Sequence, residues 1–385
     1  MPFSNFTNLD FDQIKTSIKD YLRANSKFTD FDFDGSNFSV LIDTLAYNTY
    51  INAFNSNMIV NESFLDSATL RQNVVSLAGN IGYTPRSRTA ANAEISFEVD
   101  IVDDVSSVTL QPGTVCVGDI DNESYTFSIV EPITVPVNAF KKAKFENIDV
   151  FQGTFLEKRF TFDGSLDQRF ILDNSFIDTS KIVVYVKEES DDGLGIQYNL
   201  VNDIISVDSE SKIFLINEIQ DEKYELKFGD GFFGKKLGTG PDKDGNIITV
   251  QYITTDGEDG NGAERFTFSG NLKYNTGSTD VNATISSIPT INTISRAQNG
   301  GDIESIDSVK YYSPITYSSQ NRAVTSRDYE AIIKKIYPNT ESVSVIGGEE
   351  LDPPEFGTVA ISIKPKNGNL VSDFSKNKIL SELKQ

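Results

Sequence analysis

The spacing of apolar residues changes near residue 89, and this change restricts the folds that the chain can adopt. Before it, apolar residues recur every three or four positions, as they do along one face of an α-helix. In residues 93–99, small or apolar side chains alternate with polar ones, as they do in a half-buried strand. Helical spacing returns after residue 291, between strand-like segments. The sequence therefore predicts an α+β multidomain protein with a helical N-terminal domain, central antiparallel β domains and a C-terminal mixed α/β domain.

Residues 1–88 are expected to form a helical docking domain with three helices. The second helix, residues 38–54, is apolar around much of its circumference, and a three-helix domain of this length cannot cover it completely. At least one of Tyr47, Tyr50 and Phe54 is therefore predicted to contact another chain or a neighbouring domain. Suitable N-cap residues precede the three helices: Asn8 or Asp10, Ser36 or Asn37, and Asp66 or Ser67.

Glycine, proline, asparagine and aspartate interrupt short β-type segments through the middle of the chain. We expect two β domains there, residues 89–178 and residues 179–290, the second with a glycine-rich connection. Residues 291–385 are expected to form the mixed α/β domain and to continue beyond the end of the chain. Within it, Thr325 or Ser326 is predicted to cap a helix that two strands and an amphipathic helix follow.

Arg322 and Arg327 flank the start of the helix that follows Thr325. Positive charge at a helix N-terminus costs about 0.3–1 kcal/mol unless it is compensated. Asp328 in the first turn offsets part of this cost, and a local surface ion pair contributes about 0–1 kcal/mol. The alternative is that Arg322 or Arg327 reaches an acidic group on another subunit or domain and fixes an assembly contact.

The composition excludes several kinds of active site. The 385 residues contain no histidine and a single cysteine, Cys116. A Ser-His-Asp triad, a Cys-His pair and zinc sites with histidine ligands are therefore excluded. Cys116 stands between two valines in a strand-like segment, so a buried and inert thiol is expected. We expect no catalytic site, no bound metal and no cofactor, and thus a protein that packs and binds rather than an enzyme.

The formal net charge is −22 at pH 7. Because phosphates require a basic footprint, we expect no direct contact with nucleic acid. The N-terminus lacks the pattern of a signal peptide, and no apolar run approaches the roughly 18 residues that span a bilayer. No membrane association is therefore expected. The negative charge favours solubility, and it also suits docking onto basic faces of partner proteins.

The glycines of residues 229–234 have the spacing G-x-G-x-x-G, and with the lysines that follow they nearly match a phosphate loop. The dinucleotide-binding motif and the phosphate loop both need glycines that come directly before a helix. Residues 237–241, LGTGP, cannot begin a long helix. We interpret this segment as a connection between β segments, with Phe232 and Phe233 as packing anchors.

Two weaker patterns involve carboxylates. Asp30, Asp32 and Asp34 begin like a calcium loop, but Leu41 stands where the bidentate glutamate is needed, which favours an extended segment with buried aromatic residues. A glycosidase without histidine needs two carboxylates facing each other across a cleft, and nothing in the sequence marks such a pair.

Three stretches occur in an order typical of one family. They are residues 38–68 followed by 79–83; residues 227–231 (KFGDG) with Gly234, followed by 252–257 (YITTDG) and 261–263; and residues 297–333, which include NRAVTSRDY at 321–329. Together they resemble the baseplate J-like family and, within it, the large baseplate wedge subunits of contractile-tailed phages (myoviruses). The resemblance spans nearly the whole chain.

The resemblance implies a structural virion protein of the tail baseplate, assembled in the host cytoplasm. It implies dimers joined into an inner ring around the tail hub, and a ring that rearranges when the sheath contracts. The implied partners are further copies of the chain, other wedge and hub proteins, and proteins close to the sheath. It also makes the glycine-rich segment part of the family scaffold. In wedge-type relatives, C-terminal helices that are missing here bundle with another wedge protein.

Two other functions remain open at this point. A carbohydrate- or receptor-binding tail module would expose aromatic residues of the β region for stacking on sugars. A hydrolase without histidine would place two carboxylates in a pocket.

Overall fold

The computed structural model describes most of the chain, and the statements below concern these residues. The described residues are 7, 10–24, 36–120, 123–165, 167–187, 193, 195–201, 207–238, 246–277, 279–320, 322–337, 340–366, 371 and 373–383. Six α-helices lie within them: α1 (Phe11–Arg23), α2 (Asn37–Glu62), α3 (Arg71–Asn80), α4 (Ile306–Ser319), α5 (Ser326–Ile336) and α6 (Asp373–Leu383). None of these helices is long and apolar enough to cross a membrane.

Nineteen strands are present in the same residues. In chain order they are β1 (Asn92–Asp100), β2 (Ser107–Leu110), β3 (Gly113–Ile120), β4 (Glu123–Ile129), β5 (Ile133–Pro136), β6 (Lys142–Gln152), β7 (Thr154–Thr161), β8 (Phe170–Leu172), β9 (Val183–Lys187), β10 (Ile196–Leu200), β11 (Ile213–Glu218), β12 (Tyr224–Phe228), β13 (Ile247–Thr254), β14 (Arg265–Phe268), β15 (Leu272–Asn275), β16 (Asp280–Asn282), β17 (Ile291–Gln298), β18 (Thr340–Gly347) and β19 (Val359–Pro365). The predicted α+β multidomain fold is thus confirmed.

The chain divides into two compact units, which we describe separately. The helical unit comprises Met1–Tyr83 and Ile306–Pro314, and the β-rich unit comprises Thr84–Ser305 and Ile315–Gln385. In the helical unit, the Asp10 carboxylate accepts hydrogen bonds from the first backbone N–H groups of α1, and the Ser36 hydroxyl does the same for α2. Both residues were among the predicted caps.

The start of α3 differs from the prediction. Neither Asp66 nor Ser67 caps it, because the helix begins four residues later. Instead, the Glu62 carboxylate at the end of α2 accepts hydrogen bonds from the backbone N–H of Thr69 at 2.7 Å and of Leu70 at 3.3 Å. Burial alone would raise the pKa of Glu62, but the hydrogen bonds outweigh it and lower the pKa. These bonds hold the N-cap residue, Leu70, and the residue before it, while no side chain caps the first turn of α3.

In the β-rich unit, six antiparallel strands form a sheet in the order β14-β3-β4-β6-β1-β17. Its two edge strands meet, since Thr267 and Thr290 pair and the backbone N–H of Ala297 donates to the carbonyl of Ala263 at 2.8 Å. The sheet therefore closes into the first barrel. A smaller sheet, β16-β15-β2-β5, adds side chains to the same core. The largest fully buried side chains of this core are Ile95, Leu110, Phe127 and Phe145.

A second sheet has seven strands in the order β7-β13-β9-β10-β11-β12-β8. Only β10 and β11 pair in parallel; the other neighbours are antiparallel. The edge strands β7 and β8 are joined by side chains: Lys158 Nζ donates to the carbonyl of Ile171 at 3.0 Å, and the rings of Phe160 and Phe170 pack edge to face at 5.6 Å. We call this sheet the second barrel, because its two edge strands meet through these side chains.

The second barrel is inserted into the first. The chain leaves β6 of the first barrel at Gly153, forms the second barrel, and returns after β13, where Thr154 and Thr254 pair. Gly153 has a φ of 134°, and a Cβ atom there would overlap the carbonyl oxygen of Thr254. A glycine is thus required at the point where the two barrels join.

This topology differs from the expected domain boundaries. The expected boundary between 178 and 179 falls inside the second barrel, whose strands β7 and β8 lie before it. Strands β14 to β17 complete the first barrel and its smaller sheet. They were expected in the separate domains 179–290 and 291–385. The pattern of apolar residues indicates where each strand lies but not which strand it pairs with. The insertion of one barrel into another therefore cannot be predicted from this pattern.

After β17 and α4, the helices α5 and α6 and the hairpin β18-β19 form a C-terminal subdomain. Its core contains Ile333 and Tyr337 with Val371 and Ile379, against which hairpin side chains pack. The helix after Thr325, the two strands and the last helix were all expected. Helix α4 has 14 residues with Pro314 inside it.

Candidate assembly surfaces

Helix α2 has a buried face made of small and polar side chains. Its buried residues are Ser39, Ile42, Ala46, Asn57 and Asn61. The Asn61 amide donates to the carbonyl of Asn57 at 2.8 Å, and the Asn57 side-chain oxygen accepts from the backbone N–H of Thr7 at 3.1 Å. Small side chains allow close packing, and the bond from Thr7 to Asn57 joins the helix to the segment before α1.

The large apolar side chains of α2 lie largely outside this face. One row runs along the helix with alternating spacings of four and three residues, and we call it the outer stripe: Val40, Thr44, Tyr47, Ile51, Phe54 and Met58. Tyr47 is 60% exposed and Phe54 is 48% exposed, whereas Ile51 and Met58 are half-buried. This spacing is that of a helix that packs against another helix.

The structure thus brings Tyr47 and Phe54 to one face, and it places Tyr50 half-buried beside them. The same helix exposes four further apolar residues that were not among the predicted contact residues: Val40, Leu41, Leu45 and Ile59. The alternation of four and three residues over residues 40–58 could have identified this row from the sequence.

The start of α5 shows where Arg322 and Arg327 lie. The hydroxyl of Thr325 accepts a hydrogen bond from the backbone N–H of Asp328, and the Asp328 carboxylate accepts from the backbone N–H of Thr325 at 2.7 Å. The Thr325 N–H lowers the pKa of Asp328. Asp328 therefore caps the helix rather than pairing with an arginine. Both arginines are exposed, and Arg322 donates to the Gln320 side-chain oxygen at 2.7 Å.

The glycine-rich segment folds back on itself. A Cβ atom at Gly229 would overlap the backbone of Gly234, and the Asp230 carboxylate accepts hydrogen bonds from the N–H groups of Phe232 and Phe233 at 2.8 and 2.9 Å. These bonds lower the pKa of Asp230, first that from Phe233. Phe232 is 81% exposed, so the expectation that both phenylalanines anchor packing is wrong. The glycines form a tight loop whose aromatic side chains face solvent.

The other candidate sites are Cys116, groups of acidic residues and the calcium-like segment. Cys116 is fully buried, and burial raises the pKa of its thiol to about 12. No group of three or more acidic or cysteine residues in the described part of the chain could hold a metal ion. The calcium-like segment from Asp30 to Asp34 lies outside the described residues.

Two segments match known domain families. Residues 10–83 match the helical domain of the gp6-like baseplate wedge proteins, and residues 325–385 match C-terminal domain I of the baseplate structural protein gp6. The chain is 28% identical over 389 residues to baseplate wedge protein gp6 of Enterobacteria phage T4. The chain is similar to phage baseplate wedge proteins. The alignment covers 97% of this chain and 56% of the T4 protein, so the chain spans little more than half the length of this relative.

Two solved structures show weaker likeness. A chain of the anti-feeding prophage baseplate, 6-fold symmetrised, has 11% identity and a TM-score of 0.29, with coverage of 100% of this chain and 72% of that chain. The N-terminal domain of the Streptococcus gordonii adhesin Sgo0707 has 7% identity and a TM-score of 0.13, with coverage of 53% and 56%. Likeness at this level supports no conclusion about fold or function.

The similarity to wedge proteins supports the wedge part of the resemblance and a structural role in the baseplate. It also assigns the chain to the tail baseplate of a virion. The two matching domain families are gp6-like, so membership of the baseplate J-like family stays a prediction.

Proposed function

We propose that the chain is a wedge subunit that pairs and joins an inner ring around the tail hub, and that this ring couples baseplate rearrangement to sheath contraction. The observation that carries the proposal is the alignment of 97% of the chain with a baseplate wedge protein. Its partners would be further copies, other wedge and hub proteins, and proteins close to the sheath. The role is mechanical and not enzymatic.

The outer stripe of α2 supports an assembly role. A monomeric protein gains nothing by keeping Tyr47 and Phe54 in water on the face of a long helix. Aromatic side chains carry much of the energy of protein interfaces because they bury a large area with few rotatable bonds. We propose that Tyr47, Phe54 and the adjoining Tyr50 pack against a helix of a neighbouring subunit in the wedge.

The stripe can be tested in phage that depend on this gene. We expect Tyr47→Ser with Phe54→Ser to block incorporation of the chain into baseplates while the purified protein keeps its helical circular dichroism. The matched control is Asn48→Ser with Asn55→Ser, which changes two exposed polar residues of the same helix and should leave assembly intact. Equal incorporation of both double variants would contradict the role of the stripe.

The proposed role itself has a separate test. Electron microscopy of virions with a tagged chain should show the tag at the baseplate in a ring around the hub. A tag located elsewhere in the virion, or absent from it, would overturn the proposal. Hydrolysis of cell-wall polymer by the pure chain would contradict the non-enzymatic part.

A second function, carbohydrate or receptor binding, is favoured by one observation. The β-rich unit exposes aromatic rings, as that function requires: Phe232 in the glycine loop and Phe140, which is 84% exposed, in the turn before β6. Binding of the pure chain to a glycan array, abolished by Phe232→Ala, would support this alternative. The wedge proposal expects no binding.

A further inference from the structure

Two segments that flank the first barrel in the sequence are bonded to each other. Residues 84–90 come directly after the first part of the helical unit, and residues 300–305 come directly before its second part. The backbone N–H of Arg86 donates to the Glu304 carboxylate at 3.0 Å, and the N–H of Glu304 donates to the carbonyl of Arg86 at 3.1 Å. We call them the paired segments. Because of these bonds, a displacement of one segment is passed on to the other.

Arg88 extends from the first of these segments to the second barrel. Its Nη1 donates to Asp302 Oδ1, on the other paired segment, at 2.9 Å. On the second barrel, its guanidinium group lies 4.4 Å from the centre of the Phe176 ring, and its Nε lies 3.7 Å from Glu222 Oε2. Arg88 thus connects the paired segments to the second barrel. We call Arg88, Phe176 and Glu222 the latch.

The ion pair of the latch is incomplete. Its atoms are 3.7 Å apart, whereas an N–H···O hydrogen bond spans about 2.7–3.2 Å. Arg88 Nε and Glu222 Oε2 are both buried, and neither has a hydrogen-bond partner among the described residues. A buried polar atom without a partner is destabilising, and opening of the latch would return both atoms to water. The open state therefore costs less than it would if the pair were fully bonded.

The second barrel holds its part of the latch on strained backbone. Phe176, Asp221 and Glu222 have φ values of 64°, 62° and 55°, in the left-handed region that residues other than glycine rarely adopt. The Ser175 hydroxyl donates to the carbonyl of Asp221 at 2.9 Å, so the two strained turns are joined to each other. Strain of this kind concentrates at clamps and switch regions. It persists here at the two turns that Arg88 contacts.

A second contact between the paired segments and the second barrel lies beside the connection of the two barrels. The buried Asp178 carboxylate accepts from the backbone N–H of Ala90 at 2.8 Å, and the N–H of Asp178 donates to the carbonyl of Ile253 at 3.1 Å. Ile253 belongs to β13, through which the chain returns to the first barrel. Glu222 precedes β12, which β7 and β8 separate from β13. A tilt of the second barrel at its connection therefore moves Glu222 away from Arg88 and displaces Asp178 less.

We propose that the latch holds the second barrel in one orientation against the first, and that it opens when the paired segments are displaced. In the open state Arg88 keeps its bond to Asp302 but leaves Phe176 and Glu222, and the second barrel tilts at its connection. The β-rich unit then has two discrete arrangements, as a switching element requires. The inference concerns the chain by itself and does not depend on the proposed wedge function.

The test measures the distance between the two barrels in the purified full chain. Spin labels are attached at Asn292→Cys on β17 of the first barrel and at Gln197→Cys on β10 of the second, both of which are exposed positions. Cys116 is fully buried and the pKa of its thiol is about 12, so it stays unlabelled. Double electron–electron resonance should give one narrow distance distribution for the labelled chain with an intact latch.

Arg88→Met keeps an unbranched side chain and removes its charge and hydrogen bonds. This change should add a second distance and raise the ratio of the open to the closed population by at least about tenfold. Glu222→Gln removes one charge of the latch, should shift the ratio in the same direction by a smaller factor, and decides the test if Arg88→Met does not fold. The matched control is Arg296→Met, which removes an exposed positive charge from β17 and should leave the distribution unchanged. Circular dichroism checks that each variant is folded.

Three results would overturn the inference. The first is that the folded latch variants keep the single distance of the intact chain, because the barrels are then held without Arg88. The second is an intact chain that already shows both distances in equal amounts. The third is an Arg296→Met control that broadens the distribution as much as Arg88→Met does. None of these results affects the proposed wedge function, which fails only if the chain is absent from the baseplate ring.

Discussion

Cys116 offers a direct measure of how the first barrel opens, since it is the single thiol of the chain. Its side chain is fully buried in the core, and burial raises its pKa to about 12. At pH 8 about one such thiol in 10,000 is ionised, compared with about a quarter of unfolded cysteines with a pKa near 8.5. A thiol reagent must therefore react through an opened state, and its rate reports the population of that state.

The perturbation is Phe127→Ala. Phe127 is fully buried, pairs with Cys116 across β3 and β4, and packs edge to face against Phe266 with ring centroids 5.0 Å apart. Removal of a buried phenylalanine ring costs about 3–5 kcal/mol. Because about 1.4 kcal/mol corresponds to a factor of ten, labelling of Cys116 should become roughly 150 to 5,000 times faster.

The assay is reaction with an excess of an aromatic disulfide reagent at pH 8, followed by absorbance. Phe140→Ala is the control, because Phe140 is 84% exposed and its loss should change the rate less than about twofold. Phe127→Leu leaves a smaller cavity and should fall between the wild type and Phe127→Ala. The reasoning is refuted if the native wild type reacts as fast as the chain in denaturant, or if Phe127→Ala reacts at the wild-type rate.

Three further changes have defined outcomes. Thr325→Ala should lower the free energy of unfolding of the C-terminal subdomain by about 1 kcal/mol in urea titrations, whereas Ser326→Ala at the first helical position should change it by less than about 0.5 kcal/mol. The pKa of Asp328 is lower in the folded state than in the unfolded chain. Its stabilising effect is therefore complete above the unfolded pKa near 3.9 and is lost as the pH falls through the folded pKa. In urea titrations, Asp328→Asn should lose less stability on acidification than the wild type does. Gly229→Ala should disrupt the glycine loop and lower the melting temperature, whereas Gly79→Ala in α3, where a Cβ atom has no neighbour within 4 Å, should not lower it.

The helices were largely predictable from the sequence because their signals are local. Asp10, Ser36 and Thr325 are caps that act on residues two or three positions away. The start of α3 was missed because no side chain caps its first turn. Its N-cap residue, Leu70, is held instead by a hydrogen bond to Glu62, which lies eight residues earlier. Local rules find a cap only when the capping side chain is adjacent in sequence.

The barrels were predictable as antiparallel β-structure but not as an insertion. Pairing of Asn92 with Gln298 joins strands about 200 residues apart, and no local pattern records such a pairing. The exposure of Tyr47 and Phe54 could be expected because the second helix has more apolar residues than one face holds, and their contact with another chain stays a prediction. The burial of Phe232 was predicted wrongly, because the sequence does not show that the aromatic ring of this residue in the glycine-rich loop points towards solvent.

The paired connection at Gly153 and Thr254 determines how force passes between the barrels. A domain attached by one strand can swivel about it, whereas the two connections here are held side by side by the pairing of β7 with β13. Rotation of one barrel against the other would twist both strands together and break hydrogen bonds on each side. Tension applied to the second barrel divides between two backbones, so neither has to carry the whole load. The two connections together therefore resist rotation of the inserted barrel more than a single strand would.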